Sequence, residues 1–150
     1  MGSKLATAFI AGTFFTFFLD FFFILGLFLN YIEAQNIDVY YNILFADHQN
    51  IFIFMSGVIV FGYLFIFFKN TKIATLIFGI CFALVNLTQI PSIGKSMGVN
   101  LFQQENKIIN EGSHQYIGHI VYEGRSVIWF YDDELKNIIE INRESIRGKI

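Results

Sequence analysis

The chain has 150 residues, of which 55% are hydrophobic and 15% charged, with twenty phenylalanines and a formal net charge of −2. A mean hydropathy of +0.54 excludes an ordinary soluble domain, and the lack of any Lys/Arg-rich stretch excludes nucleic acid, whose recognition needs several cations tracking phosphates. Charge is also segregated: between Leu5 and Gly94 the only acids and strong bases are Asp20, Glu33, Asp38, Asp47, Lys69 and Lys72.

Three apolar runs are long enough to cross a hydrocarbon core of roughly 30 Å, which takes about 20 helical residues: 5–32, 51–68 and 73–90. Backbone polar groups in lipid must be satisfied within the segment, so residues 1–91 are read as an all-α bundle of three transmembrane helices. The first run has no small-x-small cleavage site at its end and exceeds a signal-peptide core, so it is expected to stay as an anchor. It is also overlong, and is expected to tilt or to emerge from the bilayer.

Between the first two runs, Ile37, Tyr40, Tyr41, Leu44 and Phe45 follow helical spacing, which predicts a short interfacial helix over 36–47. Lys4 precedes the first run and Lys69 and Lys72 sit in the turn between the second and third, while the 33–48 connection carries acids but no Lys or Arg. The positive-inside rule then places the N-terminus in the cytoplasm of a bacterial inner membrane. Three crossings put the C-terminal domain in the periplasm.

Pro91 is expected to close the third helix, because proline cannot continue the hydrogen-bond ladder. Residues 92–114 read as a connector, irregular over Ser92–Asn100 and with a short helix over Leu101–Asn110. From 115 to 150 the periodicity changes to that of a small all-β domain. Tyr116–Tyr122 and Ser126–Tyr131 are apolar strands joined by a Glu123-Gly124-Arg125 turn, Asn137–Asn142 is a third strand, and Ser145–Ile150 is expected to add a fourth.

The strand Val127–Tyr131 is apolar on both faces and needs cover on each. A first strand with an internal Gly118, this second strand, then Ile139-x-Ile141 and Ile146-x-Gly148-x-Ile150 together resemble small SH3-like or Sm-like barrels, a resemblance that implies a fold and no function.

Asp20 is the residue that most demands explanation. Counted from Leu5 it falls near mid-bilayer, where an ionised carboxylate is costly, so it is expected to be protonated, paired or facing water. Gly12 and Thr16 share its face, and small or hydroxyl side chains let helices approach. On the third run Thr75, Gly79, Ala83 and Asn86 form one stripe; Ser56 and Asn86 fall at the depth of Asp20, so Asp20, Thr16, Ser56 and Asn86 are expected to meet as an intramembrane polar cluster. That cluster reads either as a proton or ion relay or as glue fixing helix register.

His114 and His119, with Asp132, Asp133 and Glu134 in reach, raise a metal site, but no zinc or calcium spacing is present and a solvated turn is the plain reading. Cys81 lies alone in an apolar run and reads as a small buried hydrophobe. No nucleophile, base and oxyanion donor assemble and no phosphate loop is found, so no catalytic residue, metal or cofactor is assigned. The leading expectation is a non-enzymatic accessory or scaffold subunit of a cell-envelope complex, partnered by the lipid bilayer and by other membrane or envelope proteins, a second copy included. Trp129, Phe130 and Tyr131 are its expected partner-binding residues. The alternatives are a proton- or cation-conducting component using Asp20, and a phage or plasmid immunity or inhibitor protein, suggested by small size and by the Phe, Ile, Asn and Lys usage typical of an AT-rich genome.

Overall fold

The computed structural model describes residues 2–111 and 114–146. Five helices precede one sheet: α1 (Gly2–Leu27), α2 (Tyr41–His48), α3 (Ile51–Ile66), α4 (Thr71–Asn86) and α5 (Pro91–Phe102), then β1 (Gln104–Glu111), β2 (His114–Glu123), β3 (Val127–Asp132) and β4 (Asn137–Asn142). Helix α1 does not stop at Leu27. It passes through a widened turn at Phe28–Ile32 and a tight turn at Glu33–Gln35, and ends at Asn36, whose φ of 55° is a left-handed cap that asparagine tolerates. The result is one 34-residue rod, Gly2–Gln35.

Two helical stretches, Gly2–Gln35 and Thr71–Gln89, are long and apolar enough to cross a membrane, and α3 makes a third if it is counted with α2, from which it bends by 85°. Helices α1 and α3 run antiparallel in close contact. A Cβ added to Gly12 would overlap the Val58 carbonyl, one on Gly62 would overlap the Ala8 carbonyl, and one on Gly57 would sit 2.7 Å from Thr16 Cγ2. Reciprocal glycines thus bring the two backbones together, as small residues do wherever apolar surroundings give helices no hydrophobic drive to associate.

Helix α4 attaches differently, through phenylalanines. Phe78 and Phe82 meet Phe15, Phe18 and Phe22 of α1 at centroid separations from 4.9 to 6.4 Å, in offset and edge-on geometries that add to the burial of the rings. The Thr75, Gly79, Ala83 stripe therefore points outward: all three are exposed, and a Cβ on Gly79 would meet nothing within 4 Å.

Pro91 does end the helical stretch Thr71–Gln89, in which a tight turn at Leu87–Gln89 extends α4, and leaves Ile90 extended, but it also opens α5 as its first helical residue, a position where its missing N–H costs nothing. The expected connector over 92–100 is thus corrected to a helix. Its glycines, which lower helix propensity, are there for contact: a Cβ on Gly94 would crowd Asn30, and one on Gly98 would overlap the Tyr31 ring. The expected helix at 101–110 is likewise corrected. Beyond Phe102 the backbone becomes β1, a polar strand whose pairing with β2, irregular between Gln104 and Lys107, sets its conformation.

The sheet is an antiparallel meander in the order β1-β2-β3-β4. The β2–β3 turn falls where the sequence placed it, with Gly124 N–H donating to the Val127 carbonyl at 3.0 Å. Of the expected last strand, Ile146 bridges Glu111 on β1 and 147–150 lie outside the described residues. Alternation along β3 splits its apolar residues between two cores. Ile128 and Phe130 join Ile109, Ile120 and Ile141 on one face. Trp129 joins Tyr122, Phe102 and the far end of α1 on the other.

The glycine contacts give a direct test. Gly12→Leu or Gly62→Leu should lower stability by about 1–3 kcal/mol, the usual cost of overpacking, whereas Gly79→Leu should be neutral within error in a detergent melt; a neutral Gly12→Leu would contradict the α1–α3 packing.

Candidate functional site

Four residues were expected to cluster, and each makes its own local contact. Thr16 is buried against Gly57, and among the described residues its hydroxyl has no hydrogen-bond partner. Ser56 is exposed and donates to the Phe52 carbonyl at 2.8 Å, and Asn86 donates to the Phe82 carbonyl at 2.7 Å, each one turn back on its own helix. Asp20 lines a cavity of about 130 Å³ with His48, Gln49 and Asn50. Those polar neighbours form the elbow from which α3 starts, so Asp20 lies at the end of the α1–α3 pair, not in its middle.

The polar groups that do join helices lie at the same level on other sides of α1. Thr88, almost fully buried, donates to the carbonyls of Val85 at 2.8 Å and Phe23 at 3.3 Å. Gln89 donates to the Phe22 carbonyl at 2.9 Å, Asn30 to the Thr88 carbonyl at 2.9 Å, and Tyr41 to the Phe21 carbonyl at 3.0 Å. Three successive α1 carbonyls, a turn before the widened one, thus receive side-chain donors from two segments, α2 and the turn at Leu87–Gln89. Sequence reasoning missed Asn30, Thr88 and Gln89 because no periodic stripe marks them; the one signal was polar residues at the ends of apolar runs.

Beyond this belt, α1 enters the larger core. Leu27, Tyr31 and Ile32 are fully buried, packed with Leu44 of α2, Phe102 of α5 and Tyr122 and Trp129 of the sheet. The Tyr31 hydroxyl donates to the Val121 carbonyl at 2.8 Å, a buried bond between the first helix and the second strand. Phe102 and Tyr122 stack edge-on at 5.7 Å, and His48 lies 4.6 Å from Phe102 and 5.7 Å from Tyr122. At the rim, Arg125 Nε lies 2.5 Å from Asp47 Oδ1, tying the β2–β3 turn to the end of α2. Arg125 is largely exposed, so the pair itself adds little, but without it a nearly buried Asp47 carboxylate would be uncompensated.

Beside this ion pair, a cavity of about 410 Å³ separates the segment entering α2 from the sheet. Asp38, Tyr40 and Ile43 form one wall; Tyr122, Arg125, Trp129 and Glu140 belong to the other. Among the described residues, neither the buried Tyr122 hydroxyl nor the buried Trp129 indole N–H has a hydrogen-bond partner. Burial, and then the negative charge of Asp47, push the Tyr122 phenol up to about 12, with Arg125 opposing.

The residues expected to bind a partner take other places. Phe130 is fully buried and Trp129 is 8% exposed, both covered by the chain itself, so the two-faced apolarity of β3 is met internally. Tyr131 is half-buried and stacks on His119 at 4.9 Å. On that face the large apolar side chains left open are Ile108 and Ile117, directly paired across β1 and β2, with Leu135 exposed in the next turn. Asp132, read as one approach to a metal, instead accepts the N–H groups of Glu134 at 2.7 Å and Leu135 at 3.0 Å, capping its own turn. Among the described residues, no group of three His, Cys, Asp or Glu side chains is placed to hold a metal ion.

Comparisons with protein-family models, curated proteins and solved structures found no match to this chain.

Two outcomes follow from these contacts. Thr88→Val should destabilise the chain by about 1–3 kcal/mol, the cost of leaving buried polar groups unpaired, measured by thermal unfolding in detergent. The folded state keeps the Tyr122 proton to about pH 12, whereas an exposed tyrosine loses it near about pH 10. Stability from this group is therefore intact below pH 10 and lost as pH rises from about 10 to 12. Tyr122→Phe should flatten that alkaline decline, and an unchanged slope would show that the phenol is not held as described.

Proposed function

We propose that this chain is an integral membrane protein of the bacterial inner membrane that holds a small β-domain at the periplasmic surface, as a non-enzymatic accessory or scaffold subunit of an envelope complex. The observation that carries the proposal is the continuity of α1. Its first part packs with α3 and α4, whose outer faces are apolar and exposed, Phe52 at 81%, for example. Its last turns are the centre of the core that holds the sheet. Such a rod transmits position from one layer to the other without a hinge, which suits a platform and not a tethered, freely moving domain.

Helix α2, set 85° from α3, then lies along the bilayer surface, with Tyr40 and Tyr41 at the headgroup level that tyrosines favour. Asp20 sits at that boundary beside Gln49 and Asn50, where a carboxylate anchors the helix end at far lower cost than at mid-bilayer. This placement favours anchoring over a proton relay. The sheet, its ends drawn toward each other by the Glu111–Ile146 bridge, is the start of a small SH3-like barrel. Its partner surface is the open pair Ile108 and Ile117 with Leu135, in place of the buried Trp129 and Phe130, and the outward Thr75, Gly79, Ala83 face of α4 offers helices of a partner or second copy a close approach.

Reporter fusions after Ile150 test the arrangement: one active only outside the cytoplasm should work and one active only inside should not. The reverse result would overturn the orientation. Ile108→Ser with Ile117→Ser should leave the melting temperature nearly unchanged yet abolish co-purification of an envelope partner; retention of that partner would move the docking surface elsewhere.

A further inference from the structure

Helices α3 and α4 have 16 residues each and so rise about 24 Å at 1.5 Å per residue. That falls short of the roughly 30 Å hydrocarbon core of an ordinary bilayer, which takes about 20 helical residues. Helix α1 exceeds that thickness, but its last turns are enclosed by α2, α5 and the sheet. The ends of the three helices are level. Ala8 lies against Gly62, so Lys4, one turn earlier on α1, falls beside the end of α3 and the exposed turn that holds Lys69 and Lys72. At the other end Asp20 shares a cavity with Gln49 and Asn50, where α3 starts, and Gln89 donates to the Phe22 carbonyl.

The exposed side chains measure the same band. Among the described residues of α1, the large apolar ones left open run from Leu5 to Phe17, and the next is Leu29, past the belt. On α3 they run from Ile51 to Phe67, and on α4 from Ile73 to Leu87. These stretches rise about 18, 24 and 21 Å in turn. A groove of about 260 Å³ between α1 and α3, lined by Leu5, Phe9, Ile59 and Phe67 among others, opens on this surface and offers acyl chains apolar contact.

We propose that this surface is matched to a thin bilayer, one of short-chain phospholipids with a hydrocarbon core of about 24 Å, and that in a thicker membrane the protein gathers shorter lipids around itself. The proposal rests on the membrane reading above. A thicker core must compress against the bundle or cover its polar ends, and tilting, the remedy open to an overlong helix, only shortens the band further. The lysines at one end can extend toward water on their long stems. Asp20, Gln49 and Asn50 at the other are too short to do so, which fixes that boundary.

The full chain would be reconstituted in vesicles of dimyristoleoyl-, dipalmitoleoyl-, dioleoyl- or dieicosenoylphosphatidylcholine, which share a headgroup and differ in chain length. Flotation after an alkaline wash reports insertion. Trp129 is the single tryptophan of the chain, so its emission follows thermal unfolding without labelling. The melting temperature should peak in the dimyristoleoyl or dipalmitoleoyl lipid and fall by about 5 °C or more in the dieicosenoyl lipid. A peak in either of the two longer lipids, or no dependence on chain length, would overturn the match while flotation still upheld the membrane reading. Failure to float with any of the four lipids would overturn both.

Discussion

A helix of 34 residues rises about 51 Å at 1.5 Å per residue, while the hydrocarbon core of a bilayer is roughly 30 Å thick. The excess has to be housed, and most of the fold is the housing. Partner helices α3 and α4 match the first part of α1. Around the remainder, α2, α5 and the sheet close a core whose centre is Leu27, Tyr31 and Ile32. Each such side chain, fully buried, contributes roughly 1.5–3 kcal/mol. The small β-domain obtains part of its stability from this helix end, since Trp129 and Tyr122 would otherwise be exposed.

Where the layers meet, the helix is held by hydrogen bonds to main-chain carbonyls. Side chains from Tyr41, Thr88 and Gln89 reach Phe21, Phe23 and Phe22 in turn, and Asn30 returns a bond to Thr88. These carbonyls lie in the regular part of α1, and each oxygen has two lone pairs, so the donors from neighbouring segments add to the bonds the helix makes itself. Asp20 belongs to the same level. The polar residues of this chain thus mark a boundary, and the apolar interior below it is packed by glycine contact and by phenylalanine rings.

Much of this was legible in the residues. Two long apolar helices, Gly2–Gln35 and Thr71–Gln89, with the shorter α3 between them, the short helix before α3, the Gly124 turn and the β4 strand follow from periodicity and turn chemistry. The face shared by Gly12 and Thr16 was read as inward-facing, and it packs on Val58 and Gly57. Other features were illegible for identifiable reasons. Helix α5 is hidden by Gly94 and Gly98, whose low propensity is overridden by the fit of Tyr31 and Asn30 against them. Strand β1 reads as polar because its partner on β2 dictates its conformation. The stripe on α4 obeys helical spacing, but spacing does not say which face a helix turns to its own chain; Phe78 and Phe82 settle that. The ion pair of Asp47 with Arg125 joins distant segments, and no local pattern announces it.

If the extension of α1 is the common centre, helices and sheet unfold as one unit. Far-UV circular dichroism follows the helices, and the emission of Trp129 follows the sheet at its contact with them. Thermal unfolding of the full chain in detergent should give coincident transitions by the two signals. Tyr31→Ala, which removes the Tyr31–Val121 bond and the ring against Gly98, should separate them, the Trp129 signal melting first. Two separate transitions in the parent chain, or coincident ones in Tyr31→Ala, would contradict the account.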